Sequence, residues 1–313
     1  MNIFVIGGTG LVGSYLLPKL VNSRHNVFVL TRAASKIDKI NDAGAHGIQG
    51  DILEPQLFIR ELPEILGFII LLAMPGISPG KRINRKRKAL LRNQTVGFFR
   101  NSMDLAIHFN APLILPSGTS YHTRPGEIAD ETWPIRRVGL TELGSDTDEM
   151  IRQANRTGRP EIIQLIYGRI YGNGGLFRFQ YDMLKKNRYR IIGKGNNYIP
   201  LIHASDAADA ILKSMDKKPF REKFIIADDT PVTQRDFTNY FADLLDLKRP
   251  GSIPGFIIKM ILGKDFYELI RMNCQVSNNK AKKILGWYPE YPSYRTGLEQ
   301  TAKEMQENTP YFM

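Results

Sequence analysis

Apolar and polar residues fall into blocks that alternate between two periods along the first half of the chain. "IFVI" (3–6) is a short apolar run closed by glycines, and "LVGSYLLPKLVNS" has apolar residues at helical spacing. "NVFVL" (26–30), "GIQGDI" (47–52) and "GFIILLA" (67–73) read as the next three strands. "TVGFFRNSMDLAIHF" then predicts a helix and "APLILPSG" a fifth strand. Residues 139–157 predict another helix and "EIIQLIYGRIYG" (161–172) another strand. Strands apolar on both faces and separated by helices predict a parallel sheet covered on both sides. Such a sheet binds ligands at the carboxyl ends of its strands.

The texture changes after residue 172. Residues 173–202 are rich in glycine, asparagine and basic residues, as a ligand-facing insert would be. "HASDAADAILKSM" (203–215) predicts a helix with Ser205 as N-cap and with Asp206 and Asp209 in its first turns, where the helix dipole favours them. "KFIIAD" predicts a strand, and "TQRDFTNYFADLLDL" and "NNKAKKILG" predict capped helices. The expected class is α/β: a Rossmann-type doubly wound parallel sheet with a smaller C-terminal substrate lobe. Residues 1–172, with 203–228 returning to them, form the dinucleotide-binding domain in this reading; 173–202 and 229–313 form the lobe.

Composition narrows the setting. With 313 residues, 42% apolar and 24% charged, the chain is long enough for a large core and reads as soluble. A lone cysteine, Cys274, gives neither a disulfide framework nor metal-ligand spacing, so no metal is expected and a cytoplasmic location is. The longest apolar run, 67–77, is far shorter than the roughly 20 residues of a membrane helix, so no membrane partner is expected. Much of the net charge of +12 sits in "KRINRKRKALLR" (81–92). A nucleic-acid or anionic-membrane patch is one reading. A solvated loop running into a helix whose other face is Ala89, Leu90 and Val96 is the favoured one, since no aromatic interleaves with the charges for base stacking.

Candidate chemistry begins at "GGTGLVG". Gly7, Gly10 and Gly13 are spaced by three, directly after a strand and before a helix. The first makes the tight turn, the second lets backbone approach a pyrophosphate, and the third permits close helix–sheet packing. Unpaired amides at the helix start, with Thr9, Leu11 and Val12, then face the phosphates. The second strand ends in Thr31 and Arg32, with Lys36 following, where an acidic residue would select NAD. A guanidinium there suits a 2′-phosphate, so NADP is expected over NAD.

These residues resemble the extended branch of the short-chain dehydrogenase/reductase family, the NAD(P)-dependent nucleotide-sugar epimerases, dehydratases and reductases. The resemblance runs through "GGTGLVG", "GDI", "LLAMPG", "LPSGTSY", "IYGRIYGNGG", "IHASDAADAI" and "SNNKAKKILGWYPEYPSY". It implies that Asp51 and Ile52 sit beside the adenine, that Ala73 lines the cofactor channel, and that Tyr167 starts a segment passing the nicotinamide. It also implies an active-site serine at Ser117 and substrate contacts at Arg178, Asn197 and His203; a packing role serves His203 equally well. A small-molecule substrate follows, with a nucleotide sugar as one class. A homodimer through the helices around 95–108 and 139–157 also follows, with Met103, Ile107, Met150 and Ile151 as candidate contacts.

The family's reaction uses a tyrosine and, four residues later, a lysine, which together bring a hydroxyl toward titration near neutral pH. Counted from Glu149, those places hold Thr141 and Ser145, whose hydroxyls do not titrate there. "YLLPK" (Tyr15 to Lys19) and "YDMLK" (Tyr181 to Lys185) match the spacing in the wrong elements. Tyr121 is the leading substitute acid, ahead of His122 and Glu142, and Arg136 and Arg137 are candidates to orient an anion. Two functions therefore stand: an atypical NAD(P)-dependent oxidoreductase or epimerase, and a catalytically inactive NADP(H)-binding sensor or scaffold.

Overall fold

The computed structural model describes residues 1–76 and 82–307. Ile77 of the apolar run, Lys81 of the basic stretch and the last six residues of the expected lobe, 308–313, lie outside the described residues.

β1 (Asn2–Ile6) leads into α1 (Leu11–Asn22), β2 (Asn26–Thr31), α2 (Ile37–Asp42), β3 (His46–Gln49) and β4 (Phe68–Leu71). α3 (Arg85–His108), β5 (Leu113–Gly118), α4 (Ser145–Thr157) and β6 (Ile162–Tyr167) complete the first half. β7 (Arg169–Tyr171), α5 (Gly175–Lys185), β8 (Ile191–Ile192), β9 (Tyr198–Ile199) and β10 (Leu201–His203) follow. The chain then forms α6 (Ala204–Lys217), β11 (Lys223–Ile226), β12 (Val232–Thr233), α7 (Gln234–Leu244) and β13 (Ser252–Ile253). α8 (Gly255–Leu262), α9 (Lys264–Arg271) and α10 (Tyr294–Gln306) close it.

One seven-stranded sheet has the order β11-β6-β5-β4-β1-β2-β3, with every pairing parallel. The alternation within β1 explains both covered faces. Ile3 and Val5 pack with α1 and α6, while Phe4 and Ile6 pack with α3 and α4. A strand buried on both faces must be apolar throughout, as the sequence is. The order reverses between β1 and β4, which opens a crevice at their carboxyl ends.

The remaining elements carry a separate apolar cluster built on Tyr171, Phe177, Phe237, Phe241, Tyr294 and Leu298. The C-terminal segment is not confined to it: Ala281, Leu285 and Trp287 join the sheet core, and Trp287 Nε1 donates to the Asp206 carbonyl at 3.1 Å.

Several predicted elements differ in detail. The strand expected over 161–172 breaks at Gly168, where a Cβ would lie 2.9 Å from the Pro200 carbonyl oxygen. The helix expected over 139–157 begins as a 3₁₀ segment, Gly139–Gly144, and becomes α-helical at Ser145. α3 starts ten residues before the predicted helix because Asn84 caps it, accepting from the Arg87 amide at 2.8 Å. The basic stretch is therefore largely helical. Its buried face is Leu91, Thr95 and Phe98, whereas Ala89 and Leu90 are exposed, so the buried face is rotated by about one residue from the one expected from the sequence. Lys88 bonds to Glu142 at 2.7 Å and to Asp265 at 3.0 Å, and Arg92 to Asp146. Met103 and Ile151 face the sheet's own core and Ile107 faces outward.

Candidate functional site

The glycine turn lies against the far side of the crevice. Gly7 has φ +85°, in the left-handed region, and a Cβ on it would lie 2.5 Å from the Ala73 amide nitrogen, just past β4. Gly13 lies under the turn, where a Cβ would sit 2.0 Å from the Gly8 carbonyl oxygen. These two glycines are thus demanded by the protein's own packing. Gly10 is not: a Cβ there meets only the Gly7 carbonyl, at 3.3 Å. No side chain caps α1, so its first amides are left for a ligand.

A groove of about 320 Å³ extends from this turn along the ends of β1, β2 and β4. It is lined by Gly7, Thr9, Arg32, Lys36, Asp51, Ile52 and Ala73, all named from the sequence. Met74, Phe98 and Gly50 line it as well and were not named. Gly50 adjoins Asp51 in "QGDI" and could have been found; Phe98 comes from α3, and nothing local announces it. Arg32 extends across the mouth with Nη1 3.9 Å from Asp51 Oδ2. The open turn and uncapped helix start fit a dinucleotide, with backbone amides for the diphosphate and Asp51, Ile52, Arg32 and Lys36 lining the rest of the groove.

Leu11 and Val12 belong to the first turn of α1, and Val12 is a core residue. Tyr167 departs from its expected place: its side chain is buried in the core and its hydroxyl donates to the Ala207 carbonyl at 3.1 Å. Burial pushes that phenol well above its ordinary range. Only its backbone is left at the strand end.

Ser117, at the end of β5, accepts a hydrogen bond from Gln164 Nε2 at 3.2 Å and is partly exposed. Tyr121 is only 1% exposed, packed with Ile166, Ile225 and Cys274, and its hydroxyl has no partner among the described residues. Desolvation, followed by the nearby Glu131 charge, drives its pKa upward. A buried phenol so placed is a core residue, which corrects its expected role as acid at the substrate mouth. His122 is half-buried, and burial, then Arg136, holds its imidazole below the ordinary range. Cys274 is buried too, its thiol pushed up to about 12.

The segment expected to hold the acid–base pair is closed on itself. Thr141 Oγ1 accepts from the Val138 amide at 2.8 Å and donates to the Val138 carbonyl at 2.9 Å. Ser145 is exposed. The 3₁₀ start means that the two do not stack as an α-helical i, i+4 pair. Arg137 fills the space beside them. Its Nε and Nη2 reach Asp148 at 2.5 and 2.6 Å, and its Nη1 reaches Ser120 Oγ at 3.2 Å and the Thr141 carbonyl at 3.1 Å. Glu142 is taken up by Lys88.

The expected substrate contacts are scattered. Arg178, on α5, is partly exposed, 3.8 Å from Asp182 and stacked over Tyr181 at 5.0 Å. Asn197 is a loop clip, donating to the Ile270 and Met272 carbonyls at 3.0 Å each. His203 is fully buried among Tyr15, Tyr171 and Tyr291 and, in place of Ser205, is the N-cap of α6, its Nδ1 accepting from the Ser205 amide at 3.3 Å. Burial lowers its pKa to about 3. His203, wholly buried, is a packing and capping residue here, which corrects its expected substrate contact, while Asn197 is partly exposed and its amide nitrogen serves as the clip. The two lookalike pairs are also occupied elsewhere: Tyr15 bonds to Glu304 and Lys19 to Asp209, while Lys185 lies over the Tyr181 ring.

Comparison with known proteins gives a family model and several relatives. Residues 3–120 match the model of the NAD dependent epimerase/dehydratase family. A chloroplastic epimerase family protein SDR39U1 homolog of Arabidopsis thaliana is 22% identical over 84% of this chain and 76% of its own length. A 4-hydroxy-2-methyl-3-oxo-4-farnesyl-3,4-dihydroquinoline-1-oxide ketoreductase of Stigmatella aurantiaca is 24% identical over 81% of this chain and 76% of its own. Among solved structures, human epimerase family protein SDR39U1 with NADPH superposes with a TM-score of 0.79 at 18% identity, covering 97% of this chain and 99% of that one. UDP-glucose 4-epimerase of Thermotoga maritima with UDP-glucose gives 0.79 at 19% identity, over 99% and 100%. Residues 3–120 are thus similar to the NAD dependent epimerase/dehydratase family, and along its length the chain has the fold of these solved structures.

Proposed function

We infer that the protein is an NADP-dependent oxidoreductase or epimerase of the extended short-chain type, acting on a small carbonyl or hydroxyl compound, with nucleotide sugars as one class. The observation that carries this reading is the single groove lined by Gly7 and Thr9 of the glycine turn together with Asp51, Arg32 and Lys36. The relatives support it in kind: the human protein was crystallised with NADPH, the Thermotoga protein with UDP-glucose, and the Stigmatella protein is a ketoreductase.

The bound nicotinamide would supply or accept the hydride. Ser117 would orient the substrate oxygen. Gln164 donates to its oxygen, which leaves the Ser117 proton free to point at a carbonyl. No tyrosine–lysine pair titrates beside it, with Thr141 and Ser145 in the expected places, so the proton on the product oxygen would come from solvent. Residues 173–202 and 229–313 would provide the substrate lobe, with Arg178 as its exposed cation.

The second reading, a cofactor-binding sensor, draws on the burial of Tyr121 and the pairing of Glu142 with Lys88, which occupy two of the candidate acids. NADPH and NADH titrations followed by cofactor fluorescence, then a panel of nucleotide sugars and simple carbonyls, separate the readings. Turnover on any of them supports the enzyme; tight NADPH binding with no oxidation supports the sensor. Arg32→Ala should weaken NADPH binding by about tenfold or more and NADH binding little. Equal losses would remove the 2′-phosphate assignment.

A further inference from the structure

α8 is the most apolar helix of the chain by sequence, "GFIIKMIL", yet none of its eight residues is buried. α9, packed against it, has none buried either. Phe256 is 70% exposed, Met260 68% and Ile261 53%. Phe256 and Met260 stand one turn apart on the same side of α8, with Lys259 beside them. A helix this apolar is ordinarily covered.

The surroundings say what covers it. α8 contains no acid, and the start of α3 reaches α9 and the junction between α8 and α9. Lys88 bonds to Asp265 of α9 at 3.0 Å, and a Cβ on Gly263, between α8 and α9, would lie 3.8 Å from the Arg82 side chain. Arg82, Arg85 and Lys86 are exposed and have no ion pair among the described residues. The two carboxylates of α9 are already answered, Asp265 by Lys88 and Glu268 by Lys264 at 3.5 Å. The exposed apolar side chains of α8 thus have Lys259 on their own helix and Arg82 at its end, with Arg85 and Lys86 following Arg82 in the first turn of α3.

We propose that α8 and the first turn of α3 form a peripheral docking face for an anionic lipid surface. Phe256, Met260 and Ile261 enter the headgroup–acyl boundary, and Lys259, Arg82, Arg85 and Lys86 meet the lipid phosphates. Apolar insertion and cation–lipid attraction each contribute, and neither alone holds a protein firmly. The mode of attachment is adsorption, because among the described residues no helix is long and apolar enough to cross a membrane.

The test is co-sedimentation of the full chain with vesicles of phosphatidylcholine alone and of phosphatidylcholine with phosphatidylserine. Binding is expected only to the mixed vesicles, falling steeply with salt. Phe256→Asp with Met260→Asp should reduce it by about tenfold or more. Arg85→Glu with Lys86→Glu should reduce it comparably while leaving the thermal melt in place, since these side chains are exposed. Failure to bind the mixed vesicles overturns the proposal, as does binding that the Asp variants leave unchanged. So does a concentration-dependent dimer that Phe256→Asp abolishes without vesicle binding, or retention on an RNA or DNA oligonucleotide with none on vesicles. None of these outcomes depends on the dinucleotide, so the face and the groove are tested separately.

Discussion

Arg137 grips Asp148 with two parallel hydrogen bonds of 2.5 and 2.6 Å, and its guanidinium lies so close to Gly144 that a Cβ there would fall 2.6 Å from Nη1. This pair ties the loop after β5 to the start of α4, because Nη1 also reaches Ser120 and the Thr141 carbonyl. Arg137→Lys keeps the charge and loses the fork. It should cost about 1–3 kcal/mol of stability, since both side chains are mostly buried. Chemical denaturation of the two proteins measures this directly, and a loss below about 0.5 kcal/mol would mean that the fork is not a structural tie.

Tyr121→Phe separates a core residue from a catalytic acid. The Tyr121 hydroxyl is buried without a partner among the described residues. Removing it should leave stability unchanged or raise it by up to about 2 kcal/mol. Any turnover found for the natural chain should survive in the variant. A loss of turnover of a hundredfold or more with an intact melt would restore Tyr121 to the chemistry.

Two alanine substitutions in the glycine turn should part company. Gly13→Ala forces a contact of 2.0 Å with the Gly8 carbonyl and should destabilise the fold by about 2 kcal/mol or more. Gly10→Ala meets only the Gly7 carbonyl at 3.3 Å, so its melting temperature should move little. Its dinucleotide affinity should nonetheless fall by about tenfold or more, as a methyl then stands where the diphosphate approaches. Calorimetric melts and ligand titrations on both variants check the split.

Asp228 should make stability depend on pH with an unusual sign. Burial raises its pKa from 3.8 to about 8, against two weaker backbone hydrogen bonds that lower it. Between pH 4 and 8 the folded chain therefore holds a proton that the unfolded chain has released. Stability from this group is present below pH 4 and declines as pH rises to about 8, by a few kcal/mol at most. Asp228→Asn should flatten this part of the profile and raise stability at pH 8 relative to pH 5. Denaturant melts across that range decide it; an unchanged slope would mean that Asp228 is ionised when folded.

The sequence by itself determined the sheet and most of one wall of the groove. Apolar runs such as 3–6 and 67–73 must be strands covered on both faces, and the spacing of Gly7, Gly10 and Gly13 directly after a strand marks a turn in which Gly7 and Gly13 leave no room for a side chain. Both signals are local, carried by neighbours a few residues apart. The tertiary structure alone decided the side-chain assignments at the substrate end. Whether Tyr121, His203 or Asn197 meets a ligand depends on which distant segments close over it: β11 over Tyr121, the Tyr291 loop over His203, the end of α9 over Asn197. Thr141 could be read as a vacated catalytic place, but not as its own cap, because a 3₁₀ start and an α-helical start share the same residues and differ only in what packs on them. Gly139 shows why: α9 sits against it so closely that a Cβ would lie 2.3 Å from the Asp265 carbonyl, a contact across 126 residues that no local pattern encodes.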